Sequence, residues 1–84
     1  MIEQVLSYRE TLKAHMVRVF KSLYPKADYI PTQEARRRIE DILGLDSRYF
    51  YGRMLTEAVE TIRYKKVKYC GRMLYRPRRR TRHG

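Results

Sequence analysis

The spacing of the apolar residues changes once along this chain, close to Tyr64, and the change restricts the fold to helices followed by a short sheet. Before Tyr64 apolar side chains recur every three or four residues, as on one face of an α-helix. After Tyr64 they alternate with basic side chains, as in a β-strand. A chain of 84 residues has room for one modest core. The sequence therefore predicts a single, mainly α domain over residues 1–77 with a C-terminal β-hairpin.

The first predicted helix covers residues 2–24 and is long for so small a domain. Pro25 ends it, because proline lacks an amide donor and disfavours helical conformation in the residue before it. Its inward stripe is predicted to consist of Val5, Tyr8, Leu12, Met16, Val19, Phe20 and Leu23.

The second predicted helix covers residues 32–43. Thr32 is predicted to cap it through its hydroxyl, and Gly44 to end it in a left-handed conformation, with Leu45 folding back onto the core. The predicted inward residues are Ala35, Ile39, Ile42 and Leu43.

The third predicted helix covers residues 47–62, with Asp46 or Ser47 as its cap. A short glycine-bearing connection between two helices is typical of a helix-turn-helix, although many helical hairpins share it. Phe50 and Met54 fit the core better than a binding surface. The predicted inward residues are Tyr51, Leu55, Ala58, Val59 and Ile62.

A basic hairpin is predicted over residues 64–76, with a two-residue turn at Cys70-Gly71 or a longer loop. The tight turn sets Val67 opposite Leu74. Val67 and Leu74 are predicted to pack on the helices, and Lys66 and Lys68 to lie on the other face. Pro77 ends the second strand, since proline cannot donate to the ladder.

The runs ILGLDSRYFYGRMLTEAV and KVKYCGRMLYR carry a resemblance that extends over about residues 12–77. The chain resembles the winged-helix branch of the helix-turn-helix superfamily, in particular small regulators and excisionases of phages, archaeal viruses and plasmids, and the winged domain that closes some viral primases. The resemblance implies three helices and a two-stranded wing, with the third helix in the major groove of double-stranded DNA.

Positive charge is concentrated at the C-terminal end. The net charge is +11, and residues 63–84 hold ten basic and no acidic side chains. Such asymmetry indicates a polyanionic partner. Residues 78–84 are predicted to form a flexible basic tail that binds phosphates or, alternatively, is merely solvated.

Candidate DNA contacts follow from these two observations. Arg53 suits a bidentate pair with guanine, Thr56 suits a thymine methyl, and Gly52 allows close approach. The alternative for Arg48 and Arg53 is surface pairing with Glu57, with Glu60 or with the second helix. The predicted helix contacts are Ser47, Arg48, Tyr49, Gly52, Arg53 and Thr56, and the predicted phosphate contacts are Lys66, Lys68, Arg72, Arg76, Arg78, Arg79, Arg80 and Arg82.

Three further features of the sequence bear on how the domain binds and assembles. Only one or two of Arg36, Arg37 and Arg38 can face DNA, because consecutive helical residues point in different directions. Most of the eight tyrosines are expected to complete the core. The apolar stripe of the first helix exceeds what the core needs, which predicts a homodimer through that helix.

Other classes receive little support from the sequence. No catalytic constellation, metal set or phosphate loop is evident, so no enzyme activity and no cofactor are predicted, and Cys70 is expected to be a turn residue. No apolar run or signal peptide is apparent, which predicts a soluble cytoplasmic protein, in the host cytoplasm if the chain is viral. The function predicted first is transcriptional regulation, DNA architecture or recombination. The alternatives are an RNA-binding or ribonucleoprotein component and a protein-interaction winged helix.

Overall fold

The computed structural model of the protein describes residues 2–26, 28–49 and 51–78, with side chains from residue 8 onward. Three α-helices and three β-strands make up these ranges, so the coarse class, mainly α with a C-terminal hairpin, is confirmed. In chain order the elements are α1 (Ile2–Leu23), β1 (Ile30–Pro31), α2 (Thr32–Leu43), a short 3₁₀ helix (Ser47–Tyr49), α3 (Gly52–Glu60), β2 (Tyr64–Tyr69) and β3 (Arg72–Pro77).

From residue 8 onward, where its side chains are described, helix α1 contributes three buried residues to the core. Leu12, Met16 and Phe20 are buried at steps of four, as one stripe of a helix requires. Tyr8 was expected in the same stripe, but 65% of its surface is exposed, so that expectation is wrong.

Both ends of α2 are defined by the backbone. Thr32 is the first helical residue rather than the flanking one, and no side chain caps this end, so the predicted Thr32 cap is wrong. At the other end Gly44 has φ 67°, as predicted, and its amide donates to the Asp41 carbonyl at 3.3 Å. The Leu45 amide donates to the Glu40 carbonyl at 2.8 Å, and Leu45 packs against the core as predicted. These two bonds form a Schellman motif.

The inner face of α2 is narrower than predicted. Ala35 and Ile39 are buried, and Leu43 packs against the core from a half-buried position. Ile42 is largely exposed, so its predicted burial is wrong. Ala35, Ile39 and Leu43 follow one another at steps of four and form the inner stripe, and Ile42 lies at the margin of that stripe.

Helix α3 is shorter than the predicted helix over residues 47–62. Residues 47–49 form a separate 3₁₀ helix, because the Asp46 Oδ1 accepts the Arg48 amide at 3.0 Å and closes a local turn. Helix α3 then starts at Gly52 and ends at Glu60, ahead of Arg63, whose φ is 68°. The predicted inner face is confirmed: Leu55, Ala58 and Val59 are buried, and Tyr51 and Ile62 pack against them.

A third strand, β1, joins the hairpin and was not predicted. The sheet order is β1-β3-β2, and all pairs are antiparallel. Ile30 of β1 lies opposite Tyr75 of β3, and both are buried. A strand of two residues is too short to show an alternating pattern, so its sequence reads as a connection.

The hairpin has the predicted register and the opposite packing face. Val67 lies opposite Leu74, and the turn at Cys70-Gly71 has φ 52° and 79°, as a type I′ turn requires. The helices cover the other face, which carries Tyr75, Tyr64 and the two lysines, Lys66 and Lys68. Alternation fixes which residues share a face, but the larger tyrosine rings bury more area than valine and leucine, and they decide which face turns inward.

An aromatic cluster holds the sheet on the helices. The Phe20 ring lies 5.0 Å from the Tyr64 ring and 6.0 Å from the Tyr75 ring, both edge to face. Edge-to-face pairs of this kind add favourable quadrupole interactions to the burial of the rings. Phe20 therefore links α1 to both strands of the hairpin.

Candidate nucleic-acid interface

A groove of about 500 Å³ lies between the hairpin and the first turns of α2 and α3. It brings together Gly52, Lys66 and Arg72, three of the predicted contacts, from two distant parts of the chain. The groove carries no carboxylate. Its lining residues are Pro31, Thr32, Gln33, Arg36, Gly52, Lys66, Gly71, Arg72, Met73 and Tyr75.

The hairpin supplies two cations of this groove, Lys66 from the face that packs on the helices and Arg72 from the edge of the turn. Lys66 lies opposite the buried Tyr75, and Lys68 lies one step further toward the turn. Lys66, Lys68 and Arg72 are all exposed, and none forms an ion pair within the described part of the chain. Their charges are available to a ligand.

Arg53 follows Gly52 in the first turn of α3 and is exposed. Among residues 8–26, 28–49 and 51–78 it forms no ion pair, so the alternative pairing with Glu57 or Glu60 is not observed. Glu57 instead accepts a hydrogen bond from Arg9 of α1 at 3.1 Å. Arg53 is thus free to contact a ligand in front of α3.

Arg48 lies on the 3₁₀ helix and pairs with its neighbour rather than with Glu57 or Glu60. Its Nη2 lies 2.8 Å from the Asp46 Oδ2, and hydrogen bonds from Arg48 hold the pKa of Asp46 below its ordinary value. Ser47 and Tyr49 lie on the same turn and are exposed. These three predicted contacts therefore precede α3 instead of forming its first turn.

Thr56 points toward the sheet. It is half-buried, and its hydroxyl lies 3.0 Å from the Tyr75 hydroxyl, a hydrogen bond that either group can donate. Thr56 therefore does not lie on the outward surface of α3 where it was predicted. The partner of Thr56, Tyr75, lies on β3, 19 residues further along the chain, and no local sequence pattern reveals this contact.

The arginine run of α2 divides as helical geometry requires. Arg36 reaches the groove and pairs with the buried Glu40 at 3.1 Å. Arg38 lies 4.0 Å from Glu34, and Arg37 is exposed. Of the three arginines, Arg36 lines the groove.

The remaining predicted contacts lie away from the groove or outside the described residues. Arg76 is half-buried and lies opposite Lys65 on the outer face of the hairpin. The Arg78 amide donates to the Arg63 carbonyl at 2.7 Å, which extends the pairing of the two strands by one bond. Arg79, Arg80 and Arg82 lie outside the described residues.

The groove includes residues that the sequence did not single out. Pro31, Thr32 and Gln33 form the wall where β1 leads into α2, and Met73 lies on the same side of the sheet as Lys68. Pairing of β1 with β3 brings this wall into place. This strand pairing is a tertiary contact, so the local sequence around Pro31 does not predict that these residues line the groove.

The tyrosines divide evenly between core and surface, so the expectation that most complete the core is wrong. Tyr64 and Tyr75 are buried, and Tyr24 and Tyr51 are half-buried. The other four are more than half exposed: Tyr8, Tyr29, Tyr49 and Tyr69.

Comparisons of the chain with protein-family models, with curated proteins and with solved structures find no significant match. Within the described residues, none of the helices combines the length and the apolar character needed to cross a membrane.

Proposed function

We propose that this protein binds double-stranded DNA in the manner of a winged helix and acts as a transcriptional regulator or as a DNA-architectural or recombination factor. Helix α3 enters the major groove, and the hairpin grips the adjacent phosphates. The observation that supports this proposal is the groove between them, which is bordered by the unpaired cations Lys66 and Arg72 and by the start of α3.

The two sides of the groove have different roles in this proposal. Lysine and arginine on the hairpin neutralise phosphates and release condensed counterions, which gives affinity for any DNA sequence. Arg53 stands beside Gly52, where the absent side chain lets the backbone come close to a base edge. A guanidinium there can donate two hydrogen bonds to guanine and so distinguish one sequence from another.

The charge pattern of the domain agrees with this division. On α3, Glu57 is held by Arg9 and Lys13 of α1, with nitrogen–oxygen distances of 3.1 and 3.6 Å. Its negative charge is thereby neutralised within the domain. A duplex at the groove then meets a positive surface from the start of α3 to the tip of the hairpin.

Replacement of Arg53 tests the proposal. We expect Arg53→Ala to reduce the preference for a selected duplex over a random one by about 1–3 kcal/mol, because one bidentate base contact is lost. Arg37→Ala is the matched control, since Arg37 is an exposed arginine on α2 and should leave the preference unchanged. Fluorescence anisotropy at fixed salt measures both duplexes.

Two results would contradict the proposal. Equal affinity for selected and random duplexes would leave no sequence to be read, and a structured RNA bound more tightly than any duplex would favour the ribonucleoprotein alternative. Loss of affinity by Arg53→Ala that is the same for both duplexes would assign Arg53 to the phosphates instead of the bases.

The homodimer through α1 remains a prediction. Helix α1 begins at Ile2, and Tyr8 is exposed four residues before Leu12, the first buried residue among those of α1 whose side chains are described. Light scattering at micromolar concentration, with and without duplex, measures the mass, and a monomeric mass in both cases would exclude the dimer.

A further inference from the structure

The sheet has a second face, opposite to the one that carries the buried Tyr64 and Tyr75. The register assigns to it the opposed pairs Lys65 with Arg76, Val67 with Leu74, and Tyr69 with Arg72. Pro31 of β1 lies opposite Leu74 on the same face. We call these residues, together with Tyr29, the outer sheet face.

Two exposed tyrosines stand at opposite ends of the outer sheet face. Tyr69, at the turn end, is 62% exposed and lies opposite Arg72. Tyr29, at the other end, is 54% exposed and lines a shallow cavity with Arg76, Pro77 and Arg78. Tyr29 precedes the buried Ile30, so strand alternation directs it to the outer side.

Cations surround these rings. Lys65 and Arg72 are exposed, Arg76 is half-buried, and none of the three forms an ion pair within the described residues. No acidic side chain occurs in residues 63–84. The Asp28 carboxylate, next to Tyr29, accepts a hydrogen bond from the Tyr29 amide at 2.7 Å.

We propose that the outer sheet face binds single-stranded DNA, with Tyr29 and Tyr69 stacking on bases and the cations between them holding the phosphates. Exposed rings combined with unpaired cations are the elements that single-strand binding surfaces use, because every base has a π face. The apolar centre, Val67 and Leu74, suits the faces of bases and has no role in a purely electrostatic surface.

The dimensions of the face require an extended ligand. Rows on one face of a strand repeat every two residues, about 6.6 Å, so the row of Tyr69 and the row of Arg76 lie about 13 Å apart. One mononucleotide cannot reach both rings. A strand of several nucleotides can, and a 12-nucleotide probe is long enough to cover the face.

The two tyrosines of the site lie outside the groove of the proposed duplex site, whereas Arg72 and Pro31 border both. The proposal therefore does not depend on base reading by α3. If both sites operate, the domain holds a duplex at one and an unpaired strand at the other, as a factor that acts where DNA is opened would require.

The test compares two fluorescent 12-nucleotide probes by anisotropy: oligothymidine, and an abasic strand with the same phosphates. We expect the protein to bind oligothymidine more tightly than the abasic strand. Tyr29→Ala and Tyr69→Ala should each weaken binding of oligothymidine by about tenfold, the effect of one lost stacking contact. Neither variant should change binding of the abasic strand.

Matched controls separate stacking from other effects. Tyr8→Ala removes a ring of similar exposure, 65%, from α1 and should leave both probes unaffected. Tyr69→Phe keeps the ring and loses the hydroxyl, so its binding of oligothymidine should remain within about twofold of that of the unaltered protein. Circular dichroism checks that the variants are folded, which surface positions should allow.

Three results would overturn the proposal. The unaltered protein could bind both probes equally, or the tyrosine variants could behave as Tyr8→Ala does. A polyglutamate peptide of 12 residues could bind as tightly as oligothymidine and be weakened equally by the variants, which would assign the face to acidic protein partners. If Tyr29→Ala and Tyr69→Ala bind the selected duplex as tightly as the unaltered protein does, the single-strand site is distinct from the groove. If the protein recognises no duplex at all, the comparison of oligothymidine with the abasic strand still tests the single-strand site.

Discussion

Tyr75 is the residue that joins the sheet to the helices. It is 1% exposed, its ring lies against Phe20, and its hydroxyl bonds to Thr56 of α3. Burial raises the pKa of the Tyr75 phenol above its ordinary value, so the neutral, hydrogen-bonded form persists in the folded protein.

Two substitutions at Tyr75 separate the contribution of the ring from that of the hydroxyl. We expect Tyr75→Phe to reduce the free energy of unfolding by about 0.5–1.5 kcal/mol, because one hydrogen bond is lost. Tyr75→Ala should reduce it by about 3–5 kcal/mol through the cavity it leaves. Urea denaturation followed by circular dichroism measures both. A similar loss for the two variants would mean that the ring contributes little.

Glu57 couples stability to acid pH. The Arg9 hydrogen bond lowers the pKa of Glu57 from its ordinary value of 4.5, so the carboxylate is favoured in the folded state. The stabilisation is therefore fully present above pH 4.5 and is lost as the pH falls through the lower folded pKa.

Glu57→Gln removes this dependence. We expect its melting temperature to decline less between pH 6 and pH 3 than that of the unaltered protein, because the group that must be protonated is gone. Glu60→Gln is the control, since Glu60 is exposed on the same helix and has no ion pair among the described residues. Equal declines for all three proteins would show that the ion pair with α1 is not maintained in solution.

At the scale of elements, the C-terminal end of α2 sets the direction in which the chain continues toward α3. Gly44 closes α2 in a left-handed conformation and turns the chain toward the 3₁₀ helix. A Cβ added at Gly44 would meet nothing within 4 Å, so only the backbone conformation opposes a larger residue there.

The variant Gly44→Ala measures the cost of placing a non-glycine residue in this left-handed conformation. We expect a loss of about 1 kcal/mol in the free energy of unfolding, the usual lower bound for a non-glycine residue in the left-handed region. Gly44→Asn should lose less, since asparagine tolerates this conformation better than alanine. Thermal unfolding measures the stability of both variants. An alanine variant as stable as the unaltered protein would contradict the prediction.

At the scale of the whole molecule, the distribution of charge should govern binding. The cations of the hairpin form no ion pair among the described residues, whereas α1 and α3 neutralise one another through Arg9, Lys13 and Glu57. A polyanion is therefore attracted to the hairpin side of the domain.

Salt dependence tests where duplex DNA lies. We expect the triple variant Lys66→Ala, Lys68→Ala, Arg72→Ala to reduce the log-log salt slope by about 2 to 3, since each phosphate contact on a duplex contributes about 0.9. A control triple variant, Arg18→Ala, Lys21→Ala, Lys26→Ala, removes the same charge from exposed positions on and just after α1. Equal slopes for the two variants would mean that only net charge matters.

Local sequence patterns determined the elements of this protein. The bounds of α2 were predicted without error, and those of α1 to within one residue. The hairpin register followed from alternation together with Gly71. These features depend on neighbours within a few residues, which is the range over which helical spacing, left-handed glycines and two-residue turns act.

Only the tertiary structure decided how the elements face one another. The inward face of the hairpin, the strand at Ile30, and the binding of Thr56 to Tyr75 depend on contacts between residues 19 or more positions apart. The start of α3 at Gly52 depends on the turn that Asp46 closes ahead of it. Alternation alone does not determine which face of the hairpin packs on the helices. The tyrosine rings bury the larger area, so their face turns inward, and Lys66, which shares that face, lines the groove.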